Sequence, residues 1–97
     1  MKLPKTVLIN RKRFTFKTVK SKSYFGQIYY HSRIIALSTL DRKSGKMPSK
    51  KRMDETLVHE LTHGVLYEMG LENMAYDEKF VTRFAKLFNN AIYSLEY

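Results

Sequence analysis

A run of seven residues, Val58-His59-Glu60-Leu61-Thr62-His63-Gly64, constrains this chain more than any other. Its two histidines are four apart, and on an α-helix that spacing returns to nearly the same face. Both imidazoles then point into one space. Leu57, Val58, Leu61, Val65 and Leu66 surround them with apolar side chains. Imidazole nitrogens in such a setting need partners, and a metal ion satisfies two of them at once. Two neutral imidazoles suit Zn2+, which takes four N, O or S ligands at about 2.0–2.3 Å in a tetrahedral shell. Glu60, about 100° further round the helix, flanks that point without being forced to bind. A carboxylate there can take a proton from water and later hand it to a leaving amine. The bland alternative is two surface histidines, one of them partnered by Glu60. A chain with this His and Glu content shows the H-E-x-x-H pattern by chance roughly 0.5% of the time, and the apolar setting weighs further against coincidence.

The 97 residues are expected to form one domain, 1–97, with 43% hydrophobic content and a thin core helped by six Phe and seven Tyr. There is no cysteine. Any metal site must therefore be built from His and carboxylates, and a reducing compartment is implied. The N-terminal stretch lacks the apolar run of a secretory signal, and nothing approaches the roughly 20 apolar residues of a membrane span. The expectation is a soluble, cytoplasmic protein. Eighteen Lys and Arg against nine Asp and Glu leave a net charge of +9. Such an excess favours nucleic acid, acidic protein surfaces or anionic lipid heads as partners.

Period-2 patterning predicts a hairpin over residues 5–20, carried by Val7, Ile9, Phe14 and Phe16, with the turn at Asn10-Arg11-Lys12-Arg13. Two further extended runs, 24–31 and 33–39, are separated by Ser32, which leaves room only for a tight reversal or a bulge. Gly45 and Pro48 mark a loop over 41–48. Ser49 is placed to cap a helix over about 50–69, and Gly70 to stop it. Residues 71–76 make a short connection. A last helix over about 77–95 carries Phe80, Val81, Phe84, Leu87, Phe88, Ala91, Ile92 and Leu95 at helical spacing, read as core. The fold class expected is α+β: a small, mainly antiparallel sheet, made of the N-terminal hairpin plus strands near 24–39, packed on two helices.

A catalytic zinc takes three protein ligands and keeps a fourth position for water. The candidates for the third ligand are His31, Glu72, Asp77 and Glu78. Two helices joined by a short turn pack antiparallel. The start of the second then faces the end of the first, which favours Glu78. A carboxylate in a first turn also suits the helix dipole without any metal.

The run His59-Glu60-Leu61-Thr62-His63, with Glu78-Lys79-Phe80-Val81-Thr82-Arg83-Phe84-Ala85 fifteen residues after the second His, resembles the gluzincin metallopeptidase pattern. The layout is similar to small zincin-like proteins of phages and prophages, and to the cores of SprT-like and ImmA/IrrE-type peptidases. The resemblance covers an edge strand at 33–39, the motif helix and the Glu helix. It implies a zinc-dependent peptide hydrolase in a bacterial cytoplasm, with His59, His63 and Glu78 holding Zn2+ and Glu60 as the general base. A peptide or protein substrate would lie along an edge strand within 24–39. A Tyr or His usually assists the oxyanion in such enzymes; Tyr67, Tyr76 and His31 are the candidates. In many gluzincins Ala-Asp stands at the third and fourth positions after the Glu. Here those positions are Val81 and Thr82, so the acidic partner is missing. Changes of that kind cost about one to two orders of magnitude.

Two other readings stand beside the peptidase. One is a metal-stabilised binding protein without catalysis. The other is a nucleic-acid-associated module using the basic runs Arg11, Lys12, Arg13 and Arg42, Lys43, Lys46, Lys50, Lys51, Arg52, although aromatic residues for base stacking are sparse near both.

Overall fold

The computed structural model describes residues 3–41 and 43–97. Arg42, counted among the basic residues above, lies outside them. Four strands come first: β1 (Thr6–Ile9), β2 (Lys12–Val19), β3 (Gly26–Tyr29) and β4 (Ile34–Ser38). Three helices follow: α1 (Lys50–Glu68), the single turn α2 (Glu72–Ala75) and α3 (Glu78–Tyr93). The fold is α+β. The expected 71–76 connection contains a helical turn of its own.

Asn10 and Arg11 both have positive φ, 51° and 64°, which makes a two-residue turn whose twist matches the flanking strands. Ile9 therefore pairs with Lys12. The turn is shorter than the expected Asn10–Arg13 tip: Lys12 and Arg13 are strand residues. The second hairpin reverses over 30–33, with Arg33 at φ 56°, and pairs Tyr29 with Ile34.

The sheet order is β1-β2-β4-β3. The two hairpins join through a parallel pairing of β2 with β4, in which Phe16 lies opposite Ile35. That pairing has a topological consequence. β4, expected as an edge, is interior, and β3 is the edge strand. A central strand is covered on both faces, and Ile35, Ala36, Leu37 and Ser38 are all buried.

Ser49 caps α1, its Oγ accepting from the Arg52 N–H. The helix ends in two bonds of a glycine stop: Gly70 N–H to Tyr67 C=O and Leu71 N–H to Leu66 C=O. Gly70 sits at φ +78°, where a side chain would be strained. α1 lies close on the sheet at Gly64, where a Cβ would come 2.8 Å from Ile9 Cδ1. The main core forms there from Ile9, Phe14, Ile35, Leu37 and Met53. A second, smaller core joins Leu66, Ala75 and Val81.

α3 rests on α1 and α2 and makes no packing contact with the sheet. Only Val81, Ala85 and Asn89 of α3 are buried. Phe80, Phe84, Leu87, Phe88, Ile92 and Leu95 are exposed, which corrects the reading of that stripe as core. One supporting rod about 10 Å across cannot cover an apolar arc wider than 100°. No described helix is long and apolar enough to cross a membrane.

Phe14 is the largest fully buried side chain at the sheet–α1 contact. Phe14→Ala is expected to destabilise the protein by about 3–5 kcal/mol, read as a lower urea midpoint at unchanged slope.

Candidate metal centre

The i, i+4 spacing on α1 brings His59 Nε2 and His63 Nε2 to 3.2 Å. The backbone reversal after Gly70 then returns α2 against α1, and His63 Nδ1–H donates to the Ala75 carbonyl at 2.5 Å. That bond fixes the tautomer and ring orientation, leaving the Nε2 lone pair free toward the cleft.

Asp77 caps α3 by accepting from the Phe80 N–H. Capping occupies Asp77 and aims the next residue, Glu78, back at α1. Glu78 Oε1 lies 2.8 Å from His63 Nε2, and Oε2 lies 3.2 Å from His59 Nε2. Among the described residues, His59, His63 and Glu78 form the group of three that could hold a metal ion. Glu72 and His31 are outside it.

The donor set fits Zn2+. A tetrahedral shell of radius about 2.0–2.1 Å places its ligand atoms about 3.3 Å apart; the two Nε2 atoms are 3.2 Å apart, each faces a different oxygen of the Glu78 carboxylate, and one ligand atom from each residue falls within 4.8 Å of the others. Hydrogen bonds alone serve the cluster poorly. With Nδ1 of His63 donating to Ala75, its Nε2 has a proton for Glu78 only as imidazolium. A cation satisfies all three donors together. Burial, and then the neighbouring His63, hold the His59 pKa below its usual value, so a neutral ligand is favoured there.

Glu60 projects from the same helix into the floor of the site. It is 4% exposed, and its Oε2 is 3.9 Å from His59 Nε2. Burial, with the charge of Glu78 second, pushes its pKa up to about 8. Strand β3 presses on it. A Cβ at Gly26 would stand 3.1 Å from Glu60 Oε2 and 2.7 Å from Thr56 Cγ2, so the edge strand approaches this closely only with glycine there.

The three groups open onto a cleft of about 460 Å³, walled by Gly26, Gln27 and Ile28 of β3 and by Tyr24, Tyr30 and Tyr76. Tyr30 stacks on Tyr67 at 4.2 Å between ring centres and meets Tyr76 edge-on at 6.0 Å. Burial, then the neighbouring Tyr76, raise its pKa to about 12. Of the three expected oxyanion helpers, Tyr76 lines the cleft, Tyr67 supports Tyr30 from behind, and His31 is exposed on the hairpin turn. Tyr30 was missed. Its position just past β3, at the mouth of a reversal, was the available signal.

Two groups of the basic residues lie at opposite ends of α1. Lys12 Nζ pairs with Glu68 Oε1 at 2.9 Å and Arg13 donates to Thr6 Oγ1 at 3.2 Å, at the end of α1 where the helix stops. Lys50, Lys51 and Arg52 lie in its first turn, about 25 Å away along the axis. There Lys50 pairs with Asp54 at 2.8 Å, Lys51 lies over the Tyr93 ring, and Arg52 sits 4.9 Å from the Phe25 ring centre. Arg11 is exposed at its turn.

No protein-family model, curated protein or solved structure matches the chain.

Free Zn2+ at a hundred times its dissociation constant is expected to stabilise the protein by about 2.7 kcal/mol, which raises Tm by about 10–20 °C for a domain this small. Thermal unfolding followed by circular dichroism reads the shift. His59→Ala and Glu78→Ala should each remove most of it, and Asp77→Asn, which keeps the cap, should not.

Proposed function

We propose that the protein is a zinc-dependent peptidase of the gluzincin type, with His59, His63 and Glu78 holding the ion and Glu60 moving the proton. The observation that carries this reading is the convergence of two Nε2 atoms and a carboxylate beside a second, buried carboxylate. Bound Zn2+ would supply a Lewis acid that polarises a substrate carbonyl and acidifies water.

The rest falls to side chains and backbone. Glu60 has a carboxyl whose pKa, at about 8, lies close to neutral pH. That suits a group that must both take a proton and return it. Its burial excludes bulk water from the exchange. The β3 edge is paired only with β4, so its outer backbone groups can receive a peptide as a further strand. Gly26 lets that strand run close to Glu60, which brings a substrate's scissile bond near the carboxylate. Tyr30 and Tyr76 flank the cleft with phenol groups. A pKa of about 12 keeps the Tyr30 hydroxyl protonated, as a donor to a carbonyl oxygen that gains charge must be.

Glu60→Gln preserves shape and removes the base. It is expected to lower cleavage of an unfolded protein substrate by about 10²–10⁴-fold, while zinc content by equilibrium dialysis stays at the wild-type level. Absence of cleavage by the zinc-loaded wild type across several unfolded substrates would replace the peptidase reading with that of a metal-stabilised binding protein.

A further inference from the structure

The buried line of α3, Val81, Ala85 and Asn89, separates two unlike flanks. Phe80, Phe84 and Phe88 lie on one. On the other, at 100° per residue, Glu78 is followed round the helix by Thr82, Lys86, Lys79 and Arg83, over about 140°. The basic flank therefore adjoins the candidate metal centre. Lys79, Arg83 and Lys86 are exposed. Among the described residues none of the three is paired with a carboxylate. From Lys79 to Leu95 the chain has no Asp or Glu, so their charge is not offset along the helix.

The cleft runs on into this flank. Past Gly26 it opens into a groove of about 350 Å³, with Tyr24 and Phe25 on one side and Thr82, Ala85 and Lys86 on the other. His59, Glu60 and Glu78 line both spaces. A hollow lined by Glu78, Lys79, Thr82, Arg83 and Lys86 carries the surface further along α3. The cleft beside Gln27 and Ile28 is different: no Lys or Arg lines it. A peptide laid along β3 thus meets cations on one side of the metal centre only. Lys86 is eight residues past Glu78, about 12 Å along the axis. An extended peptide covers that in about three to four residues.

Unpaired cations attract acidic peptides and nucleic acid alike. The groove also holds Glu55, Glu60 and Glu78. A phosphate backbone threaded through it would pass all three carboxylates. An acidic side chain on a peptide need only reach the α3 wall. We infer that this groove selects substrates with acidic side chains on one side of the bond to be cleaved, with Arg83 and Lys86 as specificity-determining residues. The inference rests on the peptidase reading and adds a substrate class to it.

The probes are fluorescein-labelled peptides, capped at both ends, with a central phosphinate in place of one amide to ligate zinc and fix the frame. A pair of Glu lies about three residues to one side of the phosphinate or to the other, and each peptide has a Lys twin. Titration of the zinc-loaded full chain, read by anisotropy, should show one Glu placement binding about tenfold tighter than its twin, a gap that narrows as salt rises. The other placement should bind like its twin. Arg83→Glu with Lys86→Glu should reverse the preference, and Arg83→Gln with Lys86→Gln should abolish it. Lys5→Glu with Lys17→Glu makes the same change of net charge at exposed positions on the β1–β2 side of the sheet, and should leave the preference in place. Equal affinity of each Glu peptide and its Lys twin overturns the inference, as does absence of binding by all four. A preference that the Lys5 and Lys17 change removes as fully overturns it in favour of net charge alone. A single-stranded oligonucleotide that binds more tightly and displaces the Glu peptide overturns it in favour of nucleic acid. Failure of the peptidase reading is separately visible, as peptide affinity unchanged when zinc is chelated; the Glu-over-Lys ratio and its reversal by the α3 changes then decide the inference alone.

Discussion

His63 is held from both sides, and most of the helical half of the molecule follows from that. Its Nδ1–H binds the Ala75 carbonyl and its Nε2 faces Glu78. A buried imidazole needs partners for both nitrogens. Ala75 reaches His63 only because α1 stops at Gly70 and the chain folds back through α2. Glu78 reaches it only because Asp77 caps α3 immediately after. Three helices are thus tied at one ring. The same bond that satisfies a buried N–H leaves a lone pair aimed into the cleft, so structural need and metal-binding capacity coincide.

How much of this was legible in the residues depended on how local each cause is. The motif helix was legible because its signals are short-range: Ser49 as cap, Gly70 as stop, two histidines four apart. Glu78 was legible because a short connection allows little but an antiparallel return. Tertiary features were not. Nothing in 5–20 or 24–39 announces that Phe16 pairs with Ile35 in parallel, since parallel register depends on how two hairpins meet and not on the composition of either. The edge was therefore assigned to β4 when it belongs to β3. Tyr30 escaped for the same reason: its place in the cleft follows from which strand is outermost. Ala75 could not have been named at all, because a backbone carbonyl has no signature in the letters.

The apolar stripe of α3 shows a different limit. Its period correctly indicates a helix with one wet and one dry side. What the period cannot say is whether the molecule itself supplies the cover. A helix over a broad sheet buries its stripe; a helix over a single helix buries a line. Here the line is Val81, Ala85 and Asn89, and the phenylalanines fall beyond it.

That narrow contact makes α3 a beam pinned at its ends. At the first end, Glu78 meets the histidines. At the other, Tyr93 donates to Asp54, which also pairs with Lys50. Between them, small and medium side chains and the Asn89 bond to the Lys51 carbonyl at 3.4 Å hold α3 on α1. The Glu78 side chain is 69% exposed, so its position relies on the helix that bears it more than on packing around it.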